Sequence, residues 1–203
     1  MATRETYHHG DLPDALLAAG LRLVREAGAH AFSLRQAARE VGVDVAAIYR
    51  HYRDKDALLR AVARVGFIEL AAAMRASQAA ATGADPRLRA VGRAYVQFAV
   101  AEPELFRLMF GPLGAGGATP LFDEDPSVAF APLEEGLAAL AAEGRCARPP
   151  ADAATAAWAA VHGLATLFVD GPLPAAEAAS RTEVVFDIVL AGLAISPTHG
   201  PSA

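Results

Sequence analysis

The chain has 203 residues, 54% of them hydrophobic and 20% charged, with a formal net charge of -5. That length supports a sizeable core in one large domain or a module joined to a larger one. Heavy use of Ala and Leu, with no alternating Val/Ile/Thr stretches, excludes the common sheet-based classes and favours an all-α fold. The single Cys146 excludes an intrachain disulfide, and residues 1–30 lack the pattern of a signal peptide. The cytoplasm is therefore the expected compartment.

The net charge hides an asymmetry. Residues 1–60 hold 9 Lys+Arg against 8 Asp+Glu, with four His besides, whereas the remainder holds 9 against 15. The N-terminal part can approach a polyanion and the rest repels one.

Arg4 to Gly10 reads as a polar arm. Leu16, Gly20, Leu23 and Ala27 then recur at helical spacing, and Gly28 supplies a stop, so the first helix is expected over 11–27. Ser33 with Gln36 three residues on is a capping-box pattern that opens a short helix ending near Gly42. Asp44 can cap a further helix over 45–52, and Asp54 a longer one over 55–77. Two short helices joined across Val41-Gly42-Val43-Asp44 and braced by the first make a helix-turn-helix unit. In it Ile48 and Tyr52 face the core, while Tyr49, Arg50 and His51 stay outside.

Further helices are expected from Asp85 to Ala101, from Pro103 through Phe110, and over 127–143, 152–169 and 176–195. The last carries Val184, Val185, Ile188, Val189 and Leu193 on one broad face. The stretch GPLGAGGATP, 111–120, is a loop; with no preceding strand and no Gly-Lys-Ser/Thr it does not read as a phosphate cradle. Residues 153–169 carry no formal charge, yet fall short of the ~20 strongly apolar residues a bilayer needs. A helix apolar nearly all round is expected to be buried among other helices, and no membrane partner is expected.

DNA recognition needs a helix whose first residues approach base edges and flanking donors that grip phosphates. Val45, Ala46 and Ala47 are small enough to approach bases, though they offer only contact with thymine methyls. Tyr49 and His51 supply donors where the helix passes the backbone, and Lys55 stands at a helix N-terminus, itself a phosphate site. Ser33 and Arg35 open the other short helix, and an Arg there can reach guanine bidentately.

The stretch FSLRQAAREVGVDVAAIYRHYRDKDALL, 32–59, resembles the DNA-binding domain of TetR-family transcriptional regulators. The shared features are the Gly-Val turn, a Tyr within the recognition helix, His then an aromatic at its end, and Lys before Leu-Leu. The resemblance covers about 11–60. It implies phosphate contacts by Tyr49, His51, Lys55 and Ser33, with base reading by Arg35. There are two departures from the family pattern. Asp44 stands where Ser or Thr is usual, adding a repulsive charge unless it stays turned into its cap. The reading turn Val45-Ala46-Ala47 is apolar, which shifts polar readout to Arg35 and Arg50. The opening YHHGDL, 7–12, is similar to one TetR subgroup, and a metal role for its adjacent His pair lacks a third ligand.

Trp158, His162 and Gly163 resemble the signature of a WHG-type C-terminal domain that follows such openings. Trp158 and His162 lie one turn apart on one face, suited either to core packing or to effector contact. Phe67, Tyr95, Phe98, Phe106, Met109 and Phe110 form an aromatic and Met set that suits an apolar effector pocket and core packing equally. The resemblance implies that the last two helices of each subunit pair into a four-helix bundle, for which Leu164, Phe168, Val185, Ile188, Val189 and Leu193 are the interface candidates. A two-fold homodimer then presents two recognition helices to a pseudo-palindromic double-stranded operator.

Enzyme chemistry finds no support: no His/Asp pair accompanies a plausible Ser nucleophile, and Asp123-Glu124-Asp125 reads as a solvated turn. Cys146 has no nearby His, although Arg145 and Arg148 beside it suit a redox-sensing thiolate. The expectation is an all-α regulator without cofactor or metal, associated with the nucleoid, and most simply a repressor released by a small-molecule effector. Its divisions are a helix-turn-helix domain with its arm, 1–54, and a ligand-binding and dimerisation domain, 55–203, connected by the helix at 55–77. The alternative is a TetR-like helical dimer that works through protein partners, motivated by Asp44 and the apolar reading turn.

Overall fold

The computed structural model describes residues 12–111 and 127–194, and among these all regular structure is helical. The YHHGDL arm up to Asp11, the loop from 112 and the Asp123-Glu124-Asp125 turn lie outside the described residues. The elements are α1 (Leu12–Ala31), α2 (Leu34–Val41), α3 (Val45–Ile48), α4 (Lys55–Ala79), α5 (Ala84–Ala101), α6 (Pro103–Phe110), α7 (Ser127–Ala142), α8 (Pro150–Val169), a 3-10 turn (Ala175–Glu177) and α9 (Ala178–Ala194).

They form two compact units. The first holds the chain up to Gly66 together with α6 from Glu104, and the second holds Phe67–Pro103 with α7, α8 and α9. These packing units divide α4 in its middle, whereas the functional division read from the sequence falls at 54/55; one long helix can serve both.

In the first unit, α1 buries Leu12, Leu16, Ala19, Gly20 and Val24. The expected face included Ala27, which is exposed instead. Gly28, at φ 78 and ψ 164, breaks the helix where the stop was expected, and a last short turn follows. Gly42 ends α2 in the left-handed conformation, φ 76 and ψ 30, and Val43 N–H donates to the Ala38 carbonyl at 3.0 Å. That Schellman pattern satisfies the orphan carbonyls of α2 and turns the chain toward α3. Only Val45–Ile48 is regular helix, shorter than the expected 45–52; residues 49–51 continue as a turn, with His51 N and Tyr52 N both donating to the Ile48 carbonyl. Ile48 is fully buried, as are Leu58, Leu59 and Val62 of α4 and Leu105 and Met109 of α6.

In the second unit α5 is the central helix, packed against α7, α8 and α9. Leu70, Leu88, Val96, Leu140 and Phe186 fill its core. Close approach of α5 and α9 depends on Gly92: a Cβ there would lie 2.0 Å from ring atoms of Phe186. The C-terminal part of α4 is fixed by Ser77 Oγ donating to the Ala90 carbonyl, 3.0 Å, and Gln78 Nε2 donating to the Pro132 carbonyl, 3.0 Å. Helix α8 is long and apolar enough to cross a membrane by length and composition alone. Its inner residues Ala153, Ala157, Val161, Leu164, Ala165 and Phe168 are instead buried against neighbouring helices.

Candidate nucleic-acid interface and effector cavity

The helix-turn-helix is built by its caps. Ser33 Oγ accepts from Gln36 N at 3.3 Å and donates to Gln36 Oε1 at 2.9 Å, closing the first turn of α2. Asp44 Oδ1 accepts from Ala46 N at 2.7 Å, so the carboxylate is turned into the N-terminus of α3. Asp54 Oδ1 accepts from Ala57 N at 2.7 Å and caps α4. That backbone hydrogen bond, with Arg53 at 2.9 Å and Arg60 at 3.8 Å, holds the Asp54 pKa below the usual carboxylate value.

Between these caps the candidate DNA residues stand outward. Arg35, Ala46, Tyr49, Arg50 and His51 are exposed, and Ser33, Val45, Ala47 and Lys55 are half-buried. Tyr49 is 56% exposed, an unusual position for a large aromatic ring. Lys55 Nζ lies 6.0 Å from the centroid of the Phe32 ring, at the outer limit of a cation–π contact. Tyr52 is half-buried, its hydroxyl 3.5 Å from the Pro13 carbonyl. Gln36 and Arg39 are also exposed on α2 beside Arg35.

The second unit contains a cavity of about 30 Å³ lined by Met74, Val91, Gly92, Tyr95, Phe130, Leu133, Ala157, Trp158, Val161 and Phe186. Of the eight sequence candidates, Tyr95 and Trp158 line it. His162 stands behind them, its Nδ1 2.8 Å from the Tyr95 hydroxyl. Trp158 meets Phe130 edge-on, ring centroids 5.2 Å apart, and His162 at 5.4 Å. Phe67 and Phe98 are half-buried and do not line this cavity. Phe106, Met109 and Phe110 belong to the first unit. There α6 lays Met109 and Leu105 over Gly66, so their apolarity serves packing on α4.

Burial sets the protonation of the polar pair. Desolvation raises the Tyr95 pKa well above that of a free phenol, and the nearby Trp158 N–H offsets only part of the rise. Desolvation also lowers the His162 pKa. Both groups are therefore neutral near pH 7, and the hydroxyl can donate to Nδ1 when His162 carries its proton on Nε2. The Trp158 Nε1 is sealed from solvent and lies outside ideal hydrogen-bond geometry, yet close enough to the Tyr95 hydroxyl to act on its ionisation.

Of the interface candidates, Leu164, Phe168 and Leu193 are buried within the protomer by packing against neighbouring helices. Val185 and Val189 are half-buried, and Ile188 is 68% exposed. The apolar side chains that do stand out also include Val184, 56% exposed, and Leu167, 46% exposed. Gly163 and Gly192 are exposed on the same helices, and a Cβ added to either meets no atom within 4 Å.

Comparison with known proteins agrees with this architecture. Residues 16–62 match the family model described as bacterial regulatory proteins, tetR family, and residues 88–193 match that of the tetracyclin repressor-like C-terminal domain. The chain belongs to the TetR family of bacterial transcription regulators. The TetR-family chain is similar to a protein of unknown function from Rhodococcus sp. RHA1, with 36% identity, TM-score 0.81, and coverage of 95% of this chain and 100% of that one. A TetR family transcription regulator from Marinobacter aquaeolei VT8 shares its fold at 20% identity and TM-score 0.69, covering 91% of this chain and 96% of that one. The TetR family transcriptional regulator PfmR from Thermus thermophilus does so at 20% identity and TM-score 0.65, covering 88% and 98%. A comparison with curated proteins gave no match. In this TetR-family regulator α2 and α3 are the DNA-binding helix-turn-helix.

Proposed function

We propose that this regulator is a homodimeric repressor that grips a pseudo-palindromic operator and releases it when a small molecule binds the second unit. The observation that supports operator binding most strongly is Tyr49, held more than half exposed between the capped turn of α3 and Lys55. A ring kept in water forgoes burial free energy, which contact with a partner recovers. Ser33, Tyr49, His51 and Lys55 hold phosphates, Arg35 and Arg50 reach base edges, and Val45-Ala46-Ala47 approach thymine methyls. Asp44, turned into its cap yet exposed, keeps its charge beside this face.

Dimerisation is proposed through the outer faces of α8 and α9, where Gly163 and Gly192 permit close helix approach and Leu167, Val184 and Ile188 supply apolar area. We assign residues 1–54 to DNA binding and 55–203 to effector binding and dimerisation, with α4 common to both. An effector then favours a dimer geometry in which the two recognition elements no longer match successive major grooves.

The test is fluorescence anisotropy on labelled DNA from upstream of the protein's own gene against a scrambled duplex, at several salt concentrations. Tighter binding to the native sequence at every salt, falling as salt rises, supports the reading. Tyr49→Ala should weaken both duplexes by a similar factor, whereas Arg35→Ala should cost about 1–3 kcal/mol and relax preference at one base. If neither substitution alters binding, the assignment of this face is wrong.

A further inference from the structure

We propose that α3 reads the C5 methyl group of pyrimidines, so that a cytosine methylated at C5 takes the place of thymine in the operator and methylation of the DNA sets its occupancy. This rests on the assignment of the α3 face to base edges and adds the chemical group that is read there. Three observations on the same turn lead to it.

The first is the lack of polar readout. Val45, Ala46 and Ala47 carry no polar side-chain atom, and the backbone is engaged as well: Ala46 N–H donates to Asp44 Oδ1 at 2.7 Å and Ala47 N–H to the Asp44 carbonyl at 2.9 Å. Neither Ala46 nor Ala47 keeps a donor for a base. The donor and acceptor pattern that separates thymine from cytosine in the major groove therefore passes unread by these two residues, and apolar contact is what they offer.

The second is where the apolar groups stand. Ile48 is fully buried and anchors the turn, while Ala46 is exposed and Val45 and Ala47 are half-buried. Methyl groups held in water forgo burial, and a pyrimidine C5 methyl laid against them leaves water together with them. The short side chains let the backbone come near enough for that contact.

The third is Asp44. Exchange of thymine for 5-methylcytosine keeps the methyl and replaces the O4 acceptor with the N4 amino donor. The exposed carboxylate beside the turn favours the donor over the acceptor. The methylated cytosine is therefore bound at least as well as thymine, and the unmethylated base less well.

A duplex selected by the full-length protein from a random-sequence pool supplies the probe. Each thymine in it is replaced singly by uracil, cytosine or 5-methylcytosine, with guanine opposite the last two, and anisotropy gives the affinities. Thymine against uracil and 5-methylcytosine against cytosine each differ by one methyl, so charge and the opposing base cancel in the two ratios. At positions under α3 the methyl should tighten binding about fourfold, the factor that burial of one such group supplies, and 5-methylcytosine should match or exceed thymine. In Ala46→Gly or Val45→Thr at least one ratio should fall toward one; ratios unchanged in both variants would place the effect in DNA stiffness and overturn direct contact. The wild-type ratios stand if a variant fails to fold. Uracil equal to thymine at every position overturns the methyl reading, and 5-methylcytosine as weak as cytosine overturns the exchange. A pool that yields no enriched sequence overturns operator recognition itself, whereas an enriched duplex with flat ratios overturns this inference alone.

Discussion

Asp44 shows how one side chain can serve folding and oppose binding. Its carboxylate satisfies the Ala46 N–H at the start of α3, yet it carries a negative charge on the face assigned to DNA. Asp44→Ala removes the cap and should destabilise the protein by about 0.5–2 kcal/mol, read as a lower urea midpoint. Asp44→Ser keeps an oxygen cap and removes the charge; its stability should stay close to wild type while affinity for all duplexes rises, most at low salt. Unchanged affinity in Asp44→Ser would place this residue away from the phosphates. His162 gives a second test at this scale. Because burial lowers its folded pKa, the unfolded chain binds a proton that the folded chain refuses as pH falls below about 6.5. Stability is thus full above the unfolded pKa and declines as pH falls to the folded one. Urea titrations at about pH 7.5 and 5.5 should show a larger loss for wild type than for His162→Asn. Of the two arginines beside Cys146, Arg145 pairs with Asp85 at 2.8 Å and Arg148 Nε donates to the Gly192 carbonyl at 3.3 Å.

The helices meet where residues are small, and Gly92 is the tightest case. Gly92→Ala drives a methyl into the Phe186 ring and should cost about 1–3 kcal/mol or more, measured by denaturation; pairing it with Phe186→Leu should recover part of that loss. Additive losses in the double variant would show that the clash lies elsewhere. The elements themselves were legible because their signals are local: Ser33, Asp44 and Asp54 each cap a helix, and Gly28 and Gly42 each end one. The length of α3 was not, since Tyr49, Arg50 and His51 have ordinary helix propensity and only the run into the Asp54 cap decides how they turn. The cavity was legible only through Tyr95 and Trp158. Met74, Phe130 and Phe186 join it through contacts across distant helices, which no periodicity within one helix encodes. For the same reason α8, apolar nearly all round, did not reveal that Leu164 and Phe168 face inward while Leu167 faces out.

For the whole molecule the decisive question is assembly. Ile188 is 68% exposed, so Ile188→Asp removes little from the folded protomer and puts a charge on the face proposed to meet a second copy. Light scattering should show a monomer, with denaturation midpoints at high dilution close to wild type and operator affinity reduced by more than about tenfold, because a protomer holds one half-site. A variant that stays dimeric would move the interface off α9. Folding during synthesis meets a further constraint, set by α6 packing with the N-terminal unit. Leu105 and Met109 cover Gly66 from a position some forty residues downstream. A ribosome adding about 5–20 residues per second therefore needs roughly 2–9 s after Gly66 before that apolar patch is covered. The nascent DNA-binding unit spends that interval incomplete, so a fragment ending at Gly66 is a poor substitute for the full chain, and chaperones at the ribosome have a defined stretch of α4 to shield.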